Sequence, residues 1–348
     1  MATAQRTPGH RTPAELAWSG GTPDPRLPQS KRSQTYGRSG NPAKSGSTNR
    51  PAPAQRRATA RDWISGARLR TLPLAIAPVV AGTGAGIVAI PDGPWHPLRA
   101  VLALIVALAL QIGVNYANDY SDGVRGTDEH RVGPARLTGS GLAKPRAVLA
   151  AALASFGVAA LAGLALVVLT QQWWLLAVGA VAIVAAWFYT GGRHPYGYYG
   201  LGELFVFVFF GVVATAGSAY VQALTVNLEA WVTGAGLGLI ACAVLMANNL
   251  RDIGPDRAAG KRTLAVLVGK AFGRVLFAVF LLVPFLAVGF LALFYPAAWL
   301  VFFALLAALP AVLIVSTART SRELIIALQL ASATSLLYGV GLGLAFAL

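Results

Sequence analysis

The sequence predicts an all-α integral membrane protein. Three observations carry that expectation: an apolar composition, a regular succession of long apolar runs, and positive charge confined to alternate connections between them. Of 348 residues, 56% are hydrophobic and 12% are charged, and the mean hydropathy is +0.61. Soluble domains carry about a quarter charged residues, so an ordinary soluble domain, a disordered chain and a fibre are all excluded. The few charges still sum to +15, and where they sit decides what they are for.

Residues 1–60 hold ten basic side chains against Glu15 and Asp24 and are dense in Pro, Gly, Ser and Thr. They contain no apolar run that would offset the entropy lost on ordering. This stretch is expected to be a disordered basic tail lying near an anionic cytoplasmic leaflet. Its only aromatics are Trp18 and Tyr36, so nucleic acid is not an expected partner. No apolar segment suited to a secretory signal precedes residue 71.

Residues 61–348 are expected to form one polytopic domain. A bilayer asks for about 20 apolar residues per helix, and nine runs approach that length: 71–90, 98–118, 147–169, 173–189, 203–221, 230–250, 274–294, 296–316 and 323–348. The first carries Pro73, Pro78 and Gly82, Gly84 and Gly86. No strand precedes these glycines, so they read as a close helix contact rather than a nucleotide loop. The second ends in Asn-Asp-Tyr-Ser-Asp, the third is an Ala/Leu/Val run, and the fourth starts at Trp173-Trp174. The fifth is rich in Phe, the sixth in Gly and Ala, and the last three include Pro284 and Pro310. Membrane helices tolerate such prolines where neighbours re-satisfy the backbone.

Connections 2–3, 4–5, 6–7 and 8–9, with the N-terminal segment, hold 27 of the 28 basic residues, and the opposite connections hold Arg99 alone. By the positive-inside rule the N-terminus is expected in the cytoplasm and the C-terminus outside, in a cell (inner) membrane. Cys242 is the single cysteine, so neither a disulfide nor a thiolate cluster is expected.

The thirteen acids cluster. The second run ends in NYANDYSDGVRGTDEH (115–130) and the sixth in NNLRDIGPDRAAGKRT (248–263). Asn118 and Asp122, Asn248 and Asp252, and Asp252 and Asp256 are each four residues apart, which stacks them on one helix face. Both even-numbered helices end on the same membrane side, so the two clusters can share one mouth. Acids at a helix C-terminus oppose the macrodipole, so capping does not explain them.

Carboxylates and amide carbonyls are hard oxygen ligands suited to Mg²⁺ shared with a substrate phosphate. Two Mg²⁺ ions would offset Asp122, Asp128, Asp252 and Asp256, and a diphosphate would leave the assembly negative. Arg193, Arg251, Lys261 and Arg262 stand beside the motifs to hold phosphate oxygens. The implied chemistry is departure of a diphosphate from a membrane lipid. A cation-coupled transporter is the alternative of another class, but its sites belong near the bilayer midplane.

At RLRTLP (68–73), NDYSDGVRGTD (118–128), GPARLTGSGL (133–142), YTGGRHPYGYYGLGELFVFVFFG (189–211) and NNLRDIGPDRAAGKRTLAVLVG (248–269), the chain resembles the UbiA superfamily of intramembrane aromatic prenyltransferases. Within it, the chain is most similar to the 1,4-dihydroxy-2-naphthoate polyprenyltransferases of menaquinone synthesis. The resemblance implies a nine-helix bundle with a central cavity open to the cytoplasm.

It also implies that Asn118, Asp122 and Asp128 form the first Mg²⁺-diphosphate motif and Asp252 and Asp256 the second, with Asn248 or Asn249 in support; Asp119 is a weaker candidate. Where the superfamily has Tyr-x-x-x-Lys, this chain has Tyr189 and Arg193. The implied reaction is Mg²⁺-dependent transfer from a polyprenyl diphosphate to dihydroxynaphthoate, with loss of CO₂ and diphosphate. Tyr189 and neighbouring tyrosines would face the allylic cation, Glu203 would orient or deprotonate the acceptor hydroxyl, and Arg136 and Lys144 would receive its carboxylate. Other acceptors, such as 4-hydroxybenzoate, homogentisate or a haem precursor, fit the same motifs. No feature of the sequence specifies an oligomeric partner.

Overall fold

The computed structural model describes residues 56–127 and 136–348. Residues 1–55 of the expected tail (1–60), together with Asp128, lie outside the described residues. Among the described residues every regular element is helical. The elements are α1 (Ala60–Gly66), α2 (Pro73–Val88), α3 (Pro97–Val124), α4 (Pro145–Thr170), α5 (Leu175–Phe188), α6 (Gly202–Ala223), α7 (Leu228–Ala258), α8 (Leu264–Leu291), α9 (Pro296–Thr317) and α10 (Ser321–Ala347).

Among the described residues, seven of these helices, α3, α4 and α6–α10, are long and apolar enough to cross a bilayer. Ala60–Thr71 and Pro73–Val88 form a pair bent by 49°, which as one span makes eight. The expected run 173–189 becomes α5, a shorter apolar helix of 14 residues. Side chains such as Leu286 and Leu306, each 75% exposed, give the bundle an apolar outer surface suited to lipid.

Three boundaries depart from the expected runs. Helix α3 continues past 118 to Val124, and α7 past 250 to Ala258. Polar residues lower hydropathy without breaking a helix, so both acidic motifs ride on helical turns. Helix α8 starts at Leu264 rather than 274, kinked at Gly269, whose φ of 80° is in the left-handed region. The folded part also begins ahead of residue 61: Arg56 pairs with Asp62 at 2.7 Å, and the Ala58 amide donates to Leu142 O.

Helix α2 packs against α10 and α6, and α3 lies along α4. The glycines of α2 make the close contact expected of them. A Cβ on Gly84 would lie 2.3 Å from Gly343 O of α10, and one on Gly82 would lie 2.2 Å from Thr215 O of α6. The main core joins α2, α7, α8, α9 and α10 through residues such as Phe277, Leu281, Leu342 and Tyr338. A second, smaller cluster of Tyr116, Leu137, Val148 and Phe156 ties α3 to α4 and to the segment at Leu137.

Helix α6 changes winding part-way along. Residues Phe207–Val213 form a π-helical segment, a wider turn common at functional sites. It presses on α7, where a Cβ at Gly211 would lie 2.3 Å from Gly238 Cα.

Candidate active site

A cavity of about 610 Å³ runs between α3, α4, α5, α6 and α7. Its walls are apolar along Ala103, Gly163, Gly179, Phe209 and Gly217, and its polar end carries Asn118, Asp122, Arg136, Arg251, Asp252, Asp256 and Lys261. The two acidic motifs, brought by the ends of α3 and α7, therefore do meet at one place.

Asp122 is the most engaged of these acids. Arg136 Nη1 reaches its Oδ2 at 2.9 Å, and Lys261 Nζ (3.1 Å) and the Tyr198 hydroxyl (2.5 Å) both donate to Oδ1. The Lys261 ammonium also sits 4.5 Å from the centre of the Tyr198 ring, within cation–π range. Burial alone would lower the Lys261 pKa, but Asp122, Tyr198 and Asp256 reverse that, and the net shift is upward. Burial, and then Asp122, also raise the Tyr198 hydroxyl. At neutral pH the lysine is charged and the tyrosine is a donor.

The second motif is held differently. Arg251 donates to both oxygens of Asp252, Nε at 2.8 Å and Nη2 at 2.6 Å. Asp256 lines the cavity, and among the described residues its carboxylate has no hydrogen-bond partner. Its backbone oxygen instead accepts from Lys261 N at 2.8 Å, which fixes the turn carrying that lysine.

Asn118, one helical turn before Asp122, accepts from Thr190 Oγ1 at 2.6 Å and keeps a second lone pair on Oδ1. Asp119 also lines the cavity, but its carboxylate is engaged by backbone. Its two oxygens accept the Leu137 and Thr138 amides, each at 2.8 Å, pinning to α3 the segment that delivers Arg136. Gly123 allows this approach, since a Cβ there would lie 2.5 Å from Thr138 Cγ2.

Several expected ligands are placed elsewhere. Arg193, Arg262 and Lys144 are exposed and absent from the cavity wall. Lys144 is spent as the residue before α4, and Arg262 contributes its backbone amide to Tyr198 O at 2.8 Å. Lys261, one residue earlier, takes the inward place. The turn that carries Arg193 is held by Arg125, which donates to the carbonyls of Thr190 and Gly192. Arg136, expected at the acceptor carboxylate, is paired with Asp122 and also donates to Asn118 O.

Glu203 does not line the cavity. It accepts from Asn249 Nδ2 at 2.9 Å, and its other oxygen is buried without a hydrogen-bond partner. Asn248 and Asn249 do line the cavity, as does Tyr189, which meets Tyr196 edge-on. Tyr196 stacks on Phe205 at 3.9 Å between ring centres, and Phe205 in turn faces Phe209 at 6.1 Å. An aromatic column thus leads from the polar end into the apolar part.

Sequence reasoning assigned no role to Arg68. It lines the cavity from a left-handed backbone conformation (φ 56°, ψ 57°), which is costly for a non-glycine residue and concentrated at functional sites. Two side chains of α3 hold that backbone: Asn115 donates to Ala67 O at 2.9 Å and Gln111 to Thr71 Oγ1 at 3.0 Å. Gln111, Asn115, Asn118 and Asp122 recur at 3–4 residues along one face of α3, a signal readable in the sequence.

Among the described residues no three Asp, Glu, His or Cys side chains enclose a metal by themselves. The donors present, all oxygen, fit Mg²⁺.

The sequence matches the UbiA prenyltransferase family over residues 75–346. The chain belongs to that family. The 1,4-dihydroxy-2-naphthoate octaprenyltransferase of Mycobacterium tuberculosis (strain ATCC 25618 / H37Rv) is 59% identical over 215 residues, covering 62% of this chain and 72% of the relative. The enzyme of the same name from Escherichia coli (strain K12) is 42% identical over 218 residues, covering 61% and 70%. The UbiA homolog from Aeropyrum pernix K1 in its apo form shares the fold with a TM-score of 0.60 at 16% identity, covering 77% of this chain and 96% of the other. The Archaeoglobus fulgidus UbiA homolog bound to DMAPP and Mg²⁺ gives 0.58 at 14% identity, covering 81% and 98%. The UbiA likeness accounts for the helical architecture, and the close relatives bear on the chemistry.

Proposed function

We propose that this UbiA family member transfers a polyprenyl group from a polyprenyl diphosphate to 1,4-dihydroxy-2-naphthoate, releasing diphosphate and CO₂ and leaving a demethylmenaquinol-type product. The observation that carries the reading is the meeting of Asp122, Asp252 and Asp256 with Arg136, Arg251 and Lys261 at the polar end of an otherwise apolar cavity. The acceptor follows from the names of the relatives at 59% and 42% identity.

Asn118, Asp122, Asp252 and Asp256, with Asp128, would hold two Mg²⁺ ions. Bound there, the metal would polarise the diphosphate oxygens and stabilise the charge that develops on them. Lys261, Arg136 and Arg251 hold the same oxygens as the allylic C–O bond breaks and the diphosphate leaves with its electron pair. The aromatic column of Tyr189, Tyr196, Phe205 and Phe209 faces the allylic cation with π-electron density, and the apolar walls exclude water from it.

The naphthoate ring attacks through the carbon bearing its carboxylate. A C–C bond forms, CO₂ leaves, and the electrons of the broken bond restore the aromatic ring. Arg68 receives that carboxylate before it departs, with Arg70 beside it on the cavity wall. Glu203 acts through Asn249, orienting its amide toward the second motif.

The bundle is read as nine crossings of the cell inner membrane, with α5 among them, the motif-bearing ends cytoplasmic, and residues 1–55 a basic tail outside the catalytic domain. The test is to supply the purified protein with dihydroxynaphthoate, a polyprenyl diphosphate and Mg²⁺, and to measure prenylated product and CO₂. Both are expected, and both are expected to disappear on chelation or with Asp122→Ala or Asp252→Ala. No product with any aromatic acceptor overturns the reading.

A further inference from the structure

We propose that Lys261, Arg136 and Arg251 are exchangeable counter-ions, which neutralise Asp122 and Asp252 before the donor arrives and pass to the diphosphate oxygens when Mg²⁺ takes over the carboxylates. Metal and diphosphate then bind cooperatively, each weak without the other. The proposal rests on the prenyl-transfer reading and adds to it an account of how the site is loaded.

The pairing is the starting point. Arg136 and Lys261 both contact Asp122, and Arg251 grips Asp252 through both oxygens. The paired side chains are nearly closed to solvent, at 3–9% exposure. Asp256, Asp119, Arg68 and Arg70 line the same cavity, so carboxylates and cations are interleaved there among the described residues. Such mixing of opposite charges limits the desolvation cost of a cluster out of water.

The pairing penalises either ligand alone. Mg²⁺ by itself has to displace cations from Asp122 and Asp252 and leave their charge less well compensated in the same cavity. Diphosphate by itself brings several negative charges beside three carboxylates. Together the two ligands nearly cancel: the metal inherits the carboxylates and the displaced cations inherit the phosphate oxygens, so no buried charge is left without a partner.

Local geometry allows the exchange. Lys261 stands in the short connection between α7 and α8, on a flexible four-carbon stem. Its ammonium lies over the Tyr198 ring at 4.5 Å, a contact it can keep while turning from Asp122 to a phosphate. Asp119 anchors the segment of Arg136 through the Leu137 and Thr138 amides, so the backbone that carries the guanidinium stays in place when its acceptor changes.

The experiment measures Mn²⁺ binding to the purified full chain by electron paramagnetic resonance, with and without geranyl S-thiolodiphosphate as a non-reacting donor. In the unmodified protein the analogue should tighten Mn²⁺ binding by about tenfold or more, and Mn²⁺ should tighten analogue binding by the same factor. Lys261→Met should tighten the binding of Mn²⁺ alone and shrink the enhancement by the analogue. Arg251→Gln should do the same through Asp252, which keeps the test open if one variant folds poorly. A purely structural lysine would weaken metal binding under both conditions and lower the melting temperature with it.

Equal Mn²⁺ affinity with and without bound analogue overturns the proposal and leaves the enzyme reading intact. So does a Lys261→Met protein in which metal binding alone is unchanged or weaker while the enhancement persists. If the unmodified protein binds neither probe, the prenyl-transfer reading fails, and this proposal fails with it.

Discussion

Tyr198 and Asp122, 76 residues apart, share a 2.5 Å hydrogen bond in which the phenol donates to the carboxylate. The bond joins the turn between α5 and α6 to the end of α3. A hydrogen bond to a charged group contributes about 1.5–3 kcal/mol. Tyr198→Phe is therefore expected to lower kcat/KM for the polyprenyl diphosphate by roughly tenfold or more, and to lower the melting temperature by a few degrees. Steady-state kinetics with a labelled donor check this, and an unaltered kcat/KM would reduce Tyr198 to a wall of the cavity.

Lys261 and Tyr198 give a pH dependence of definite sign. Both groups have raised pKa values in the folded protein. Such groups contribute stability that is fully present below their unfolded values and lost as pH rises through the folded ones. The window therefore begins near pH 10, where free tyrosine and lysine titrate. Thermal melts in detergent from pH 8 to 11 should show a decline above pH 10 that is shallower in the Lys261→Met, Tyr198→Phe double variant.

Arg68 is expected to serve the acceptor rather than the donor. Arg68→Gln should raise KM for dihydroxynaphthoate by about tenfold or more, the loss of one charged hydrogen bond, and leave KM for the donor almost unmoved. Varying each substrate in turn separates the two, and equal effects on both would place Arg68 at the diphosphate.

Asp119→Ala removes the acceptor of one buried and one half-buried amide donor. Leaving such donors unpaired costs about 1–3 kcal/mol each, so the melting temperature should fall by several degrees. Activity should fall further than stability alone explains, because Arg136 loses its support. A change in neither would mean that the segment at Leu137 is held by packing alone.

Two glycine substitutions test the packing. Gly84→Ala places a Cβ against a backbone oxygen of α10 at 2.3 Å and should destabilise by about 1–3 kcal/mol through overpacking. Gly179→Ala on α5 has nothing within 4 Å and should leave the melting temperature unchanged.

Much of this was legible in the chain. Apolar runs predicted the helices, because a bilayer imposes length and composition directly. The four-residue spacing of Asn118 and Asp122, and of Asp252 and Asp256, predicted their common mouth, because helical periodicity is local. The cations were less legible. Positive charge near the membrane surface serves topology as well as binding, so Arg193, Arg262 and Lys144 looked equivalent to Lys261 and Arg136. Which of them turns inward depends on tertiary contacts: Asp119 on the Leu137 segment, and the Asp256 carbonyl on the Lys261 amide. Arg68 escaped notice because its importance lies in a backbone angle that composition does not encode.

The π-helical segment of α6 has one further consequence, which concerns phase. The cavity wall takes Phe205, Phe209, Val213, Gly217 and Val221 from this helix, a repeat of every four residues. Regular winding advances about 100° per residue, so over those sixteen positions Val221 would drift about 160° from Phe205 and face the far side of the helix. The wide turns of Phe207–Val213 absorb the drift and keep the whole length of α6 aimed at one cavity. A single-residue deletion within that segment would rotate everything beyond it and leave the aromatic end and the glycine end facing different neighbours.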